Sequence, residues 1–82
     1  MLKYWYKSCP VCGQGRLFVM KRRDDEVLFL LCEECESAWS APDKVNDLSK
    51  NVSFEGIAFG YATEADIERA NWLVYSMNKV DN

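Results

Sequence analysis

Cys9-Pro10-Val11-Cys12 and Cys32-Glu33-Glu34-Cys35 constrain this 82-residue chain more than any other feature. Two thiols separated by two residues can be aimed at one point by a single tight turn. A second such pair, nineteen residues on, completes a tetrahedron around one ion. Gly13 follows the first pair, where such a turn often needs a residue free of Cβ. A chain this short buries little apolar surface, and many such folds need a staple. With Cys9, Cys12, Cys32 and Cys35 all serving as ligands, no position stays open for water, so the expected role of the metal is structural. Its apparent binding free energy, roughly 10–16 kcal/mol in finger peptides, would exceed the stability of a typical small domain.

Other uses of the four thiols remain open from sequence. Export would allow two disulfides, and Cys9 with Cys12 could form a lone redox pair. No βαβ pattern surrounds that pair, and a lone pair would leave Cys32 and Cys35 without a purpose. Iron fits four thiolates as zinc does. One structural Zn2+ is the expectation, because nothing in the sequence indicates electron-transfer partners.

The chain begins Met1-Leu2-Lys3-Tyr4-Trp5 without an apolar leader, and its longest apolar run, Val27 to Cys32, is strand length. A cytoplasmic, reducing location without membrane association is therefore expected, and there paired cysteines favour metal. The net charge is −3, and a zinc tetrathiolate would take it to about −5. Such acidity points to a basic protein as partner more than to nucleic acid. There is no histidine, and no nucleophile, base and acid stand together, so a non-enzyme is expected.

The first forty residues read as β-structure. Leu2 to Ser8 alternates, with Lys3, Trp5 and Lys7 opposite Leu2, Tyr4 and Tyr6. Arg16 to Arg22 alternates as well. Val27 to Leu31 is apolar throughout, as in a strand covered on both faces. The charged run Lys21 to Glu26 between them predicts a hairpin tip, and Ser37 to Ser40 a short edge strand ended by Pro42. Residues 42–51 read as a polar connector with room for a helical turn, and residues 52–61 as an irregular strand or hairpin. Thr63-Glu64-Ala65-Asp66 has the form of a capping box. Ile67, Ala70, Leu73, Val74, Met77 and Val80 fall at helical spacing, which predicts one C-terminal helix over 63–80 docked on the sheet.

The stretch Cys9 to Gly13, Leu17 to Met20 and Val27 to Trp39 resembles the zinc-ribbon family over about half of the chain. That resemblance implies two metal knuckles, Cys9, Cys12, Cys32 and Cys35 as ligands, and a three-stranded antiparallel sheet. It implies no single function, because ribbons serve transcription, translation, modification enzymes and protein binding. Asp25-Glu26, the apolar strand, Cys32 to Cys35 and Trp39 are also similar to the transcript-cleavage ribbons of transcription elongation factors. In those factors the tip acids help hold a catalytic magnesium. Their Arg-Ser-Ala-Asp-Glu-Pro motif is absent here, and the strand after the acids is shorter.

The reading is one α+β domain over residues 1–82: a zinc ribbon at 1–41, a connector with an irregular strand or hairpin at 42–62, and a helix at 63–80. The expected function is non-catalytic binding of another protein. In size and charge the chain resembles immunity proteins and antitoxins that mask a basic toxin. Glu64, Glu68, Trp72 and Tyr75 are the candidate partner-binding residues, unless the two rings pack on Phe54, Phe59 or Tyr61. The alternative is a ribbon that binds nucleic acid or RNA polymerase, through Lys3, Trp5, Lys7 and Lys21 to Arg23.

Overall fold

A computed structural model describes residues 2–52 and 56–81. Its centre is an antiparallel sheet in the order β4-β3-β2-β1-β6, made by β1 (Leu2–Ser8), β2 (Arg16–Arg22), β3 (Leu28–Cys32), β4 (Ala38–Trp39) and β6 (Asn78–Asp81). β5 (Phe59–Tyr61) pairs with β2 outside that path. One edge of β2 is shared. Arg16 and Phe18 face β1, while Met20, Lys21 and Arg22 face β5. The sheet thus has six strands where the ribbon resemblance implied three, because chain from beyond the knuckles returns to pair with β1 and β2.

The alternation of the sequence becomes two apolar layers. Leu17 and Val19 of β2, with Leu28, Leu30 and Cys32 of β3, bury one face beneath Trp39, Val45, Ala62 and Ile67. Phe18 and Met20, with Phe29, fill the other face against Trp5, Phe59, Tyr61 and Val80. Covering on both faces is why β3 reads as apolar throughout. Rings pack edge to face in the second layer, Phe18 on Tyr61 at 5.7 Å and Phe29 on Phe59 at 5.4 Å. Phe54, one expected partner of the C-terminal rings, lies outside the described residues.

The C-terminal segment corrects the helix expected over 63–80. α1 spans only Glu64–Arg69; a 3-10 turn at Leu73–Tyr75 follows, and then β6. The start matches the sequence: the Thr63 hydroxyl accepts from the Asp66 N–H, and the Asp66 carboxylate accepts from the Thr63 N–H. The stop is a Schellman motif. Asn71 takes the left-handed conformation at φ 63°, its N–H bonds the Glu68 carbonyl at 3.0 Å, and the Trp72 N–H bonds the Ile67 carbonyl at 2.9 Å. Trp72 and Ile67 then share the first apolar layer, the contact that accompanies this motif. Of the supposed apolar stripe, Ile67 is buried, whereas Leu73 and Val74 are exposed. Met77 and Val80 belong to different layers. What decides the outcome is the open edge of β1, which Asn78 to Asp81 fill by pairing with Leu2 to Trp5.

Asp66 anchors α1 to the sheet. It is only 6% exposed, and its carboxylate receives Lys21 Nζ from β2 at 3.1 Å. The Thr63 N–H and then Lys21 hold its carboxyl below the ordinary value of 3.8. A folded-state pKa below the unfolded one stabilises the fold above the ordinary carboxylate range, and that gain is lost as pH falls through the folded pKa. Asp66→Asn is therefore expected to lower stability by about 2 kcal/mol near pH 7. The gap to wild type should close below about pH 4. Urea melts of both proteins across pH measure it; a gap that stays constant into acid would refute the ionic anchor.

Candidate metal centre

Two chain reversals carry the four cysteines. The first joins β1 to β2: Cys9 follows Ser8, and Cys12 sits in the turn before Arg16. The second joins β3 to β4: Cys32 is the last residue of β3, and Cys35 sits in the turn before Ala38. Each reversal is closed by its own backbone bond, the Cys9 N–H to the Gly15 carbonyl at 2.7 Å and the Cys32 N–H to the Ser37 carbonyl at 2.9 Å. Leu17 pairs with Cys32 across β2 and β3, so both turns fall at the same end of the sheet. Arg16 locks them together. Its backbone N–H and guanidinium bond the Glu33 carboxylate, at 2.7 Å from Nε, and its carbonyl accepts from the Glu33 N–H at 3.1 Å.

All four sulfurs lie within 4.8 Å of one another. Cys9 Sγ is 3.7 Å from Cys35 Sγ, and Cys12 Sγ is 3.6 Å from Cys32 Sγ. A tetrahedron with metal–sulfur bonds of about 2.3 Å has sulfur–sulfur edges of about 3.8 Å, so the sulfurs fit one ion closely. Backbone N–H groups converge on them: Val11 on Cys9, Gly15 on Cys12, and Glu34 and Cys35 on Cys32, at 3.4–3.5 Å. The Ser37 hydroxyl stands 3.3 Å from Cys35 Sγ and donates to its thiolate. These dipoles favour negative sulfur, as a metal tetrathiolate requires.

As free thiols the four are unequal. Burial pushes Cys32 up to about 12 and raises Cys9. The N–H of Gly15 lowers Cys12, and the Ser37 hydroxyl brings Cys35 down to about 6. Cys9 and Cys32 are buried, Cys12 is half-buried and Cys35 is exposed. A divalent cation is what brings all four to thiolate together.

Two backbone positions make the knuckles possible. Gly13 sits at φ 71° after Cys12, and Glu36 takes the matching left-handed position, φ 62°, after Cys35. Gly15 is required for another reason: a Cβ there would lie 2.4 Å from Cys32 Sγ. Sequence reasoning singled out Gly13 and missed Gly15, whose role depends on a sulfur seventeen residues away.

The other residues singled out from sequence disperse. Glu64 and Glu68 are exposed on α1. Trp72 is half-buried against the first layer, and Tyr75 packs edge to face on Tyr6 at 6.0 Å. The four do not share a helix. Asp25 at the hairpin tip accepts from the Val27 N–H and pairs with Arg22, while Asp24 pairs with Arg22 as well. Trp39 is buried in the layer that also holds Cys9 and Cys32, and its indole N–H reaches the Asp47 carbonyl at 3.4 Å. Among the described residues no helix is long and apolar enough to cross a membrane.

Compared with known proteins, the chain matches no family model, no curated protein and no solved structure.

Gly15→Ala is expected to displace Cys32 Sγ and weaken metal retention at least tenfold in a chelator competition. Gly13→Ala meets open space and should cost only backbone strain, about 1 kcal/mol, with the metal retained. Glu36→Gly should stabilise by up to about 1 kcal/mol. Equal retention in the two alanine variants would show that Cys32 is not held in this geometry.

Proposed function

We propose that the protein is a non-catalytic module, built around one structural zinc ion, that binds a basic protein in the cytoplasm. The observation that carries this reading is how its charges are spent. Arg16 is committed to Glu33, Lys21 to Asp66, and Arg22 to Asp24 and Asp25. Lys3 caps the Tyr61 ring at 4.4 Å, and Lys7 bonds Asn46 at 2.9 Å. The basic residues that suggested a nucleic-acid surface are thus largely used inside the molecule. Among the described residues, Glu34, Glu36, Asp43, Glu64 and Glu68 make no ion pair. Glu34 and Glu36 flank the exposed Cys35, where a zinc tetrathiolate adds two further negative charges. Arg23, Lys44, Lys50 and Lys79 are unpaired too, but they are scattered over a turn, the connector and an edge strand.

Four thiolates complete the coordination of zinc, leaving no position at which it could activate water. The metal's part is then to hold both knuckles and present the acidic end. An immunity protein or antitoxin acting on a basic toxin is the biological form that this chemistry fits.

Elemental analysis of the purified chain should give about one zinc per chain, and Cys32→Ser should abolish both zinc and folding. A pull-down from source-cell lysate should capture a basic protein. Charge reversal at Glu34 and Glu36, or at Glu64 and Glu68, should slow its association and weaken the salt dependence, with dissociation changed little. Recovery of nucleic acid alone, or iron in place of zinc, would sink this reading.

A further inference from the structure

We propose that the cleft between the β2–β3 hairpin tip and α1 seats a single arginine or lysine side chain of the protein's partner. The proposal rests on the basic-partner reading and names the group that such a partner would insert. The cleft holds about 430 Å³, room for one long side chain. Its walls are apolar: Val27 and Leu28 from β3, Ala41 after β4, and Ala70 at the end of α1. The Trp72 ring forms part of the lining, and two carboxylates, Glu26 and Asp66, stand against one guanidinium, Arg69.

That combination suits a group with an apolar stem and a cationic head. The stem of arginine or lysine gains from apolar walls, and its head gains from an aromatic face and from carboxylates. A plain apolar side chain would leave the carboxylates desolvated beside it. An acidic one would meet Glu26. Asp66 already draws cations: Lys21 Nζ sits 3.1 Å away, and Arg69 Nη1 hovers at 3.7 Å. Arg69 is 70% exposed, so its head can swing to solvent and yield its place. Glu26 is 65% exposed and only 3.9 Å from Lys21 Nζ, a loose contact that leaves most of its carboxylate for an incoming cation. The tip fixes where Glu26 stands: its backbone is left-handed at φ 61°, and its N–H bonds the Arg22 carbonyl at 3.0 Å. Trp72 is placed by the Schellman stop, so the same Asn71 turn that ends α1 completes the cleft.

The test is a titration of the zinc-loaded full chain, followed by two-dimensional NMR. The probes are N-acetylarginine methylamide and N-acetyllysine methylamide, with N-acetylglutamate methylamide as the opposite charge. The Trp72 indole and the Val27 and Ala70 amides should shift saturably with the two basic probes and not with the acidic one. Glu26→Gln should weaken binding about threefold, and added salt should weaken it too. Glu34→Gln, outside the cleft, should leave it unchanged. Shifts that are absent, equal for all three probes, or indifferent to Glu26→Gln would overturn the assignment. Capture of a basic partner whose affinity ignores Glu26→Gln would overturn the cleft alone. Saturable probe binding with no basic partner captured would instead overturn the partner reading, and the proposal with it.

Discussion

Convergence of four sulfurs at one end of the sheet is the constraint on which the rest depends. Cys9 and Cys12 lie in one chain reversal and Cys32 and Cys35 in another, and β2 with β3 joins them. Bringing the sulfurs within 4.8 Å fixes the register of those two strands, because a slip by one residue would turn Cys32 to the opposite face. The register in turn decides which residues form each apolar layer. A metal ion at this point and the core beneath it act on the same degrees of freedom. Neither is large in a chain of this size, and each limits the disorder that the other must overcome.

The electrostatics follow the same division. At the metal end, backbone dipoles, the Ser37 hydroxyl and the Arg16–Glu33 clasp organise negative sulfur. At the far end, the hairpin tip neutralises itself through Arg22, Asp24 and Asp25. Between them Lys21 leaves the tip, where the sequence suggested only a solvated charge, and spans to Asp66 on α1. This one buried ion pair ties the C-terminal segment to the centre of the sheet. The surface is left with an excess of unpaired carboxylates, which is a property of the fold as much as of the composition.

Much of the β-structure was legible before folding was considered. Strict alternation over Leu2–Ser8 and Arg16–Arg22 gives two strands with the bounds observed, and the charged run between apolar segments gives the hairpin. The start of α1 was legible too, since a capping box is a local chemical arrangement. Its end was misread. Asn71 followed by Trp72 is a stop signal in which a left-handed residue precedes an apolar one, but at helical spacing Trp72 and Leu73 look like continuation. The periodicity of Leu73, Val74, Met77 and Val80 was accidental, because those residues serve a turn and a strand.

By itself, then, the sequence determined everything that depends on neighbours along the chain: cysteine spacing, strand alternation, the capped start of α1 and the acidic charge. Tertiary structure decided what depends on edges and distances. β1 had an unpaired edge, and Asn78–Asp81 took it at a separation of more than seventy residues. Trp72 and Tyr75 turned half inward because Ile67 and Tyr6 were there to receive them. Gly15 became obligatory only once Cys32 Sγ stood where its Cβ would be. A chain encodes local preference in a few residues, whereas a sheet edge or a close approach exists only after distant segments have met.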